Sequence, residues 1–293
     1  MHPALVIELR AVSVAVALNL SDGVILGVDS AVTVPGPGGV VKVYENAQKL
    51  YQVGDKPMGV AFFGLGSLGT RSLGSVLREF EVKNPLGVLS APTTVPAVVE
   101  GLRAFFTASY QQLIIPAVEA AQGKPFEQFS PQERQAITLG VVVGGFSDGA
   151  YLSEVWQIHI PGDTGRDGVA SNVRPQGNFG SNWFAMFDPI RRYIKGVSPD
   201  LLNEVLAWLL NRRSLPPLDP TERAELDALL AKYEYQIPFP AMPMQEGVHH
   251  VRFLVDLVIG HHRFAVGAPV VGGKARVGKV TYLGGKFEIL DDQ

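Results

Sequence analysis

Cysteine is the one residue type that this 293-residue sequence lacks altogether. Its absence excludes disulfide bonds, thiolate zinc sites and a cysteine nucleophile. A chain that does without disulfides is typical of a reducing compartment, so we expect a cytoplasmic protein.

Charge of either sign is also sparse. Charged residues make up 18% of the sequence, and 25 basic against 28 acidic residues give a net charge of −3 without any block of like charge. Such a chain lacks the basic patch that nucleic acids and anionic membranes attract, so we expect neither as a partner. Long apolar runs are missing too: Glu8 and Arg10 interrupt the apolar N-terminus, and no run approaches the roughly 18 apolar residues of a membrane span.

Short apolar, β-branched runs around turn residues are plentiful. Two of them flank Ser21-Asp22-Gly23, which predicts a β-hairpin. Residues 48–53 and 58–64 predict a second hairpin, and residues 136–149 and 150–162 predict a third strand pair. Two closing strands are expected near the C-terminus, from residue 275 to residue 290.

Helical periodicity follows the second hairpin. Leu73, Val76, Leu77 and Phe80 share one helical face, and Pro85 should end that helix. Further helices are predicted at 94–122 with a kink at Pro116, 181–196, 200–213, 221–235 and 247–264.

This order of elements differs from the alternating βαβ pattern of a doubly wound fold. Strands, two helices, strands, several helices and closing strands predict an α+β protein in which two antiparallel sheets pack face to face with helices outside. Six of the 21 prolines lie within residues 215–245, which suggests an insertion near 211–245.

The spacing Gly64-x-Gly66-x-x-Gly69 matches the dinucleotide-binding fingerprint. That fingerprint also needs a βαβ unit and an acidic residue about 20 positions later. Here the preceding strand belongs to a hairpin, and no acidic residue lies between Glu81 and Glu100. We therefore expect no nucleotide cofactor; the glycines can instead allow close backbone packing.

Histidine pairs do not predict a metal site either. His249-His250 and His261-His262 are twelve residues apart, which places them about 120° apart around a helix, so one ion could not easily take both pairs. The acidic turn at 163–168 lacks the spacing of a calcium loop.

Residues 13–82 resemble the start of a proteasome-type β subunit, a member of the N-terminal-nucleophile hydrolases. The Asp-Gly turn, the stretch "QKLYQV" and, more loosely, "GVAFFGL" match motifs of that family in the same order. The resemblance implies a four-layer αββα sandwich over residues 13–293, with residues 1–12 as an extension or propeptide. It also implies a homo-oligomeric ring that encloses the active sites and cleaves peptide or amide bonds.

Site residues are carried over on the same resemblance. Ser13 takes the place of the nucleophile, Asp29 and Lys49 take the places of the pair that tunes it, and Gly64 takes the place of the oxyanion-hole glycine. Ser181 matches a further supporting serine. A hydroxyl needs a base, and in this family the freed α-amine of the nucleophile, with an ordinary pKa of about 8, supplies it.

Each of these residues also has an ordinary structural interpretation. Ser13 can be a plain strand residue, Asp29 can end a strand, Lys49 can be solvated, and Gly64 can serve packing alone.

Departures from the family pattern keep two other functions open. Val12 stands where the family usually has glycine before the cleavage point, and Ala268 and Val271 replace an acid and a serine ahead of Gly272-Gly273. The alternatives are a non-catalytic assembly or binding protein with this fold, and an amidase of the same superfamily that acts on a small molecule.

Overall fold

The computed structural model describes residues 13–36, 39–84, 87–90, 92–163, 165–266 and 271–290. The expected N-terminal extension, residues 1–12, lies outside these ranges, as does Ala268. The chain divides into two compact units. One comprises the described residues up to Met186 and those from Phe239 onward, and the other spans Phe187–Pro238.

All of the described strands belong to the first unit. In chain order they are β1 (Val14–Leu20), β2 (Gly23–Val28), β3 (Val32–Gly36), β4 (Gly39–Tyr44), β5 (Leu50–Gln52), β6 (Met58–Gly64), β7 (Ser67–Leu68), β8 (Arg71–Ser72), β9 (Leu139–Gly145), β10 (Glu154–Ile160), β11 (Val169–Arg174), β12 (Gly180–Ala185), β13 (Arg276–Thr281) and β14 (Glu288–Leu290).

Ten of these strands form two five-stranded sheets, while β3 pairs with β4 and β7 pairs with β8 in two small hairpins. The first sheet has the order β12-β1-β2-β13-β14 and the second has the order β11-β10-β9-β6-β5. Every neighbouring pair in both sheets is antiparallel. The three strand pairs predicted from the sequence are confirmed: β1 with β2, β5 with β6, and β9 with β10.

The helices were predicted with two errors: a short helix at residues 131–136 was missed, and one predicted helix is in part a strand. The helices are α1 (Leu73–Lys83), α2 (Val95–Leu113), α3 (Ile115–Gln122), α4 (Pro131–Ala136), α5 (Asp188–Lys195), α6 (Pro199–Arg213), α7 (Pro220–Ala231) and α8 (Met244–Phe264). The four periodic residues of α1 are all buried. The segment 94–122, predicted as one helix with a kink at Pro116, forms two helices, α2 and α3, that meet at Ile114.

The second error concerns residues 181–196, which were expected to form a single helix. Residues 180–185 instead form β12, which pairs with β1, and α5 begins only at Asp188. Phe184 packs between the two sheets, so pairing and burial decide the structure of a short apolar run whose period is ambiguous.

Apolar side chains of both sheets fill the space between them. Alternate residues of β1 and β2 point into it, as expected for strands with one face on a core. Its buried members are Ala15, Ala17, Val24, Leu26, Val28, Leu50, Ala61, Phe63, Val142, Phe146, Val155, Phe184, Val280 and Phe287.

Helices cover the opposite face of each sheet. α8 packs on β1, β2 and β13 of the first sheet, and α2 packs on β9, β10 and β11 of the second. The first unit is therefore a mixed α and β structure with antiparallel sheets, compatible with the predicted α+β class. Among the described helices, none combines the length and the apolar character that crossing a lipid bilayer requires.

His159 on β10 gives the fold a testable pH dependence. Its ring packs edge-on against Phe63, with the centroids 5.9 Å apart. Burial lowers the pKa of His159 below its ordinary value, and the charge of Asp163 offsets part of that effect.

Because the unfolded chain then binds the proton more tightly than the folded one, the free energy of unfolding should fall as the pH drops below about 6.5. His159→Gln should reduce the difference in unfolding free energy between pH 7.5 and pH 5.5, measured by urea denaturation. Equal losses in the variant and the wild type would contradict this assignment.

Candidate functional site

Four of the five predicted site residues lie at strand ends. Ser13 precedes β1, Asp29 follows β2, Lys49 precedes β5 and Gly64 ends β6. In an antiparallel pair the start of one strand meets the end of the next, so Ser13 lies beside Asp29 in one sheet and Lys49 lies near Gly64 in the other. Stacking of the two sheets brings these two edges together.

Lys49 joins the two sheets at this edge. Its Nζ donates to Ser13 Oγ at 2.8 Å and to Asp29 Oδ1 at 2.9 Å. All three side chains are buried, with 1% exposure for Ser13, 0% for Asp29 and 4% for Lys49. The expected ion pair is therefore present, and it lies in contact with the hydroxyl of Ser13.

The Asp29 carboxylate accepts from four donors. Oδ1 accepts from the backbone N–H of Val14 at 3.1 Å in addition to Lys49. Oδ2 accepts from the N–H groups of Ala31 at 3.2 Å and Gly272 at 3.4 Å. These bonds fix the carboxylate and supply the hydrogen bonding that a buried charge requires.

Ser30 attaches the turn before β13 to this site. Its hydroxyl donates to the carbonyl of Glu45 and accepts from the N–H of Lys274 at 2.8 Å. Gly273 passes so close to this bond that a Cβ there would lie 2.2 Å from Glu45 O and 2.4 Å from Ser30 Oγ.

Gly64 has two reasons to be glycine. Its φ is +83°, and a Cβ would lie 2.1 Å from the carbonyl oxygen of Thr138. The N–H of Phe62 donates to Lys49 O at 2.8 Å, so by strand alternation the N–H of Gly64 turns toward the same side, away from β9. Close packing is therefore enough to explain why residue 64 is glycine. The direction of its N–H is compatible with an oxyanion hole, and that role stays a prediction.

Ser181 does not join this cluster, contrary to the expectation from the sequence. It lies on β12 opposite Leu18, five positions along β1 from Ser13. At about 3.3 Å per residue, that separates the two serines by roughly 16 Å along the sheet. The residue beside Ser13 on that chain segment is Met186, whose N–H donates to Ser13 O at 3.0 Å.

The contacts of Gly272 and Ala31 with Asp29 have no signal in side-chain identity, because both residues act through backbone N–H groups. Only the Gly272-Gly273 pair, already visible in the sequence, could have pointed to this turn. Burial and the charge of His261 lower the pKa of His262 on α8, whereas the charge of Asp29 raises it. Within the described ranges, no group of three or more His, Asp or Glu side chains is placed to hold a metal ion.

Replacing Gly273 should test how tightly the turn is packed on the site. Gly273→Ala places a methyl group against Glu45 O in a backbone with a φ of +73°. We expect the free energy of unfolding to fall by about 2–5 kcal/mol in urea denaturation. Gly285→Ala is the matched control: its φ is +64° but nothing lies within 4 Å, so about 1–2 kcal/mol should be lost. Equal losses would contradict the close packing.

The buried ion pair predicts strong coupling between its partners. Asp29→Asn and Lys49→Met each leave the other charge buried without its partner, which should cost about 3–5 kcal/mol of unfolding free energy. The double variant should be more stable than the sum of the single losses predicts, by at least about 1 kcal/mol. Additive losses would show that the two side chains act independently.

Two comparisons of the sequence with known proteins identify no relative. A search with protein-family models finds no match to the chain, and a search among curated proteins finds none. The chemistry of the site is therefore inferred from its own residues and from the resemblance of residues 13–82.

Proposed function

We propose that this chain is a proteasome-like N-terminal-nucleophile hydrolase that cleaves peptide or amide bonds with Ser13. The observation that carries the proposal is the pair of hydrogen bonds from Lys49 Nζ to Ser13 Oγ and Asp29 Oδ1 in a buried site. A hydroxyl, a lysine and a carboxylate in this contact are the residue types that the chemistry needs.

The arrangement of layers supports the fold part of the proposal. Two antiparallel sheets share a core, α8 covers the first sheet and α2 covers the second. We propose that these elements form the four-layer αββα sandwich of N-terminal-nucleophile hydrolases.

The proposed reaction begins once the bond between Val12 and Ser13 has been cut. The freed α-amine of Ser13 then takes the hydroxyl proton, and Oγ attacks the carbonyl carbon of the substrate. Lys49 lowers the pKa of this amine through its positive charge, and Asp29 holds Lys49 in place. Before the cut, the nitrogen of Ser13 belongs to a peptide bond and is not basic.

Gly64 is the proposed oxyanion donor. Charge develops on the substrate oxygen as Oγ attacks, and a backbone N–H fixed by the fold stabilises that charge without reorganising. The protonated α-amine then donates its proton to the leaving amine, and water hydrolyses the ester on Ser13.

Val271 stands where the family has a serine, so the polar support of that serine is missing. We propose that neighbouring hydrogen bonds replace it in part. The adjacent Gly272 N–H reaches Asp29, and Ser30 holds Lys274. The proposal further places this chain in a homo-oligomeric ring in the cytoplasm, on the resemblance and on the absence of cysteine from the sequence.

Ser13→Ala tests the proposal most directly. Wild-type protein, concentrated enough to assemble, should lose residues 1–12 and release a fluorogenic amide; Ser13→Ala should keep those residues and fall to the background rate, because neither step has its nucleophile. N-terminal sequencing, intact mass and fluorescence measure the outcome.

Ser181→Ala is the matched control, since it removes the same hydroxyl from a position roughly 16 Å along the sheet. It should be processed and turn over like the wild type. Intact N-termini and equal background rates in all three proteins would overturn the hydrolase proposal and favour a non-catalytic assembly protein.

A further inference from the structure

Helix α6 of the second unit has an apolar surface too wide for a single packing partner. At 100° per residue, its leucines, valine and tryptophan cover an arc of about 200°. A helix that packs on one side needs an apolar stripe of about 100°. Half of this arc is therefore left over.

The two halves of the arc differ in exposure. Leu202, Leu206 and Leu210 are half-buried, and neighbouring Asn203 accepts a 3.2 Å hydrogen bond from Arg223 of α7. Leu206 and Leu210 lie next to Asn203 around the helix, so this half adjoins the side that contacts α7.

The other half, which we call the outer stripe, consists of Leu201, Val205, Trp208 and Leu209. Their exposed fractions are 52%, 50%, 61% and 39%. A tryptophan in an exposed apolar row is typical of the centre of a protein interface.

Charges on α6 are segregated along its axis. Asp200 and Glu204 lie toward the N-terminal end, and Arg212 and Arg213 form the last turn. None of the four takes part in an ion pair with another described residue. The Arg212 guanidinium lies over the Trp208 ring, 5.7 Å from its centroid, and so extends the outer stripe.

We propose that the outer stripe binds the outer stripe of a second copy of this chain, with the two α6 helices antiparallel. In this arrangement Val205 packs against the partner's Trp208, and Leu201 packs against the aliphatic part of the partner's Arg212. Glu204 then lies near the partner's Arg212, which extends the stripe, and the same contacts repeat by two-fold symmetry.

Self-complementarity favours a second copy over an unrelated partner. Helix α6 carries the apolar row, acidic residues toward its N-terminal end and arginines at its C-terminal end. In an antiparallel pair, the acidic end of one copy lies beside the basic end of the other. A parallel pair would place acid beside acid and arginine beside arginine, which is unfavourable. A contact confined to one face of a 15-residue helix is smaller than the roughly 800 Å² per partner of a stable interface, so the pairing should depend on concentration.

Charge reversal tests the pairing in the full chain. The variant Arg212→Glu/Arg213→Glu makes α6 acidic throughout, and Asp200→Arg/Glu204→Arg makes it basic at both ends. In sedimentation velocity over a range of concentrations, each variant alone should dissociate at a concentration higher than the wild type by tenfold or more, on the order expected for losing several ion pairs. An equimolar mixture of the two should restore the wild-type particle.

Lys42→Glu/Lys286→Glu is the matched control, because it changes the net charge as much as the acidic α6 variant at two exposed lysines of the first unit. It should sediment like the wild type. Circular dichroism should show the same helix content in all of these proteins, since every substituted side chain is exposed.

Orientation can be read by crosslinking, because the natural sequence offers no cysteine that could interfere. A mixture of Leu201→Cys and Arg212→Cys chains should form disulfides between the two different variants on oxidation. Disulfides formed only between identical chains would overturn the antiparallel arrangement.

The pairing would be overturned entirely if the wild type and both charge-reversed variants sedimented alike at every concentration, or if the mixture failed to recover the wild-type particle. None of these readouts requires hydrolysis, so they stand or fall separately from the activity of Ser13.

Discussion

Burial of the Lys49 ammonium is the constraint on which the candidate site depends. An ammonium group removed from water requires a counter-charge and hydrogen-bond acceptors at short range, or the fold loses several kcal/mol. Asp29 and Ser13 supply these acceptors, but both belong to the opposite sheet. The two sheets must therefore stack so that the start of β1 and the end of β2 meet the start of β5. Apolar packing alone would not specify this arrangement, because the hydrophobic effect is non-directional.

The arrangement of strands meets this requirement with few special residues. Antiparallel hairpins return the chain to the edge it started from, so residues as distant in sequence as Ser13, Asp29 and Lys49 emerge at one end of the molecule. Backbone groups do much of the remaining work. The N–H groups of Val14, Ala31 and Gly272 complete the surroundings of the carboxylate. Glycines at 64 and 273 let main-chain segments approach where a methyl group would collide.

The sequence predicts the features that depend on local patterns. The turn at Ser21-Asp22, the buried face of α1 and the break before Pro116 all follow from neighbouring residues. The Asp29–Lys49 ion pair was predicted as well, but on the resemblance of residues 13–82 to a family and not on a local pattern. Sequence reasoning failed where distant pairing decides: β12 resembles a helix until β1 pairs with it, and Ser181 was assigned without knowing that this pairing places it opposite Leu18. Contacts made through main-chain N–H groups, such as that of Gly272, have no signature in side-chain identity.

The hydrogen bond from Gly272 to Asp29 spans 243 positions of the chain, and β13, which follows it, pairs directly with β2 in the first sheet. A chain that is still being synthesised therefore has a first sheet without its fourth strand and an Asp29 without one of its donors. Contacts this remote in sequence form late, since the chain between them must be ordered first. Asp29 therefore gains its donor from Gly272, and the contacts around Ser13 reach their final form, only after the turn before β13 has been synthesised.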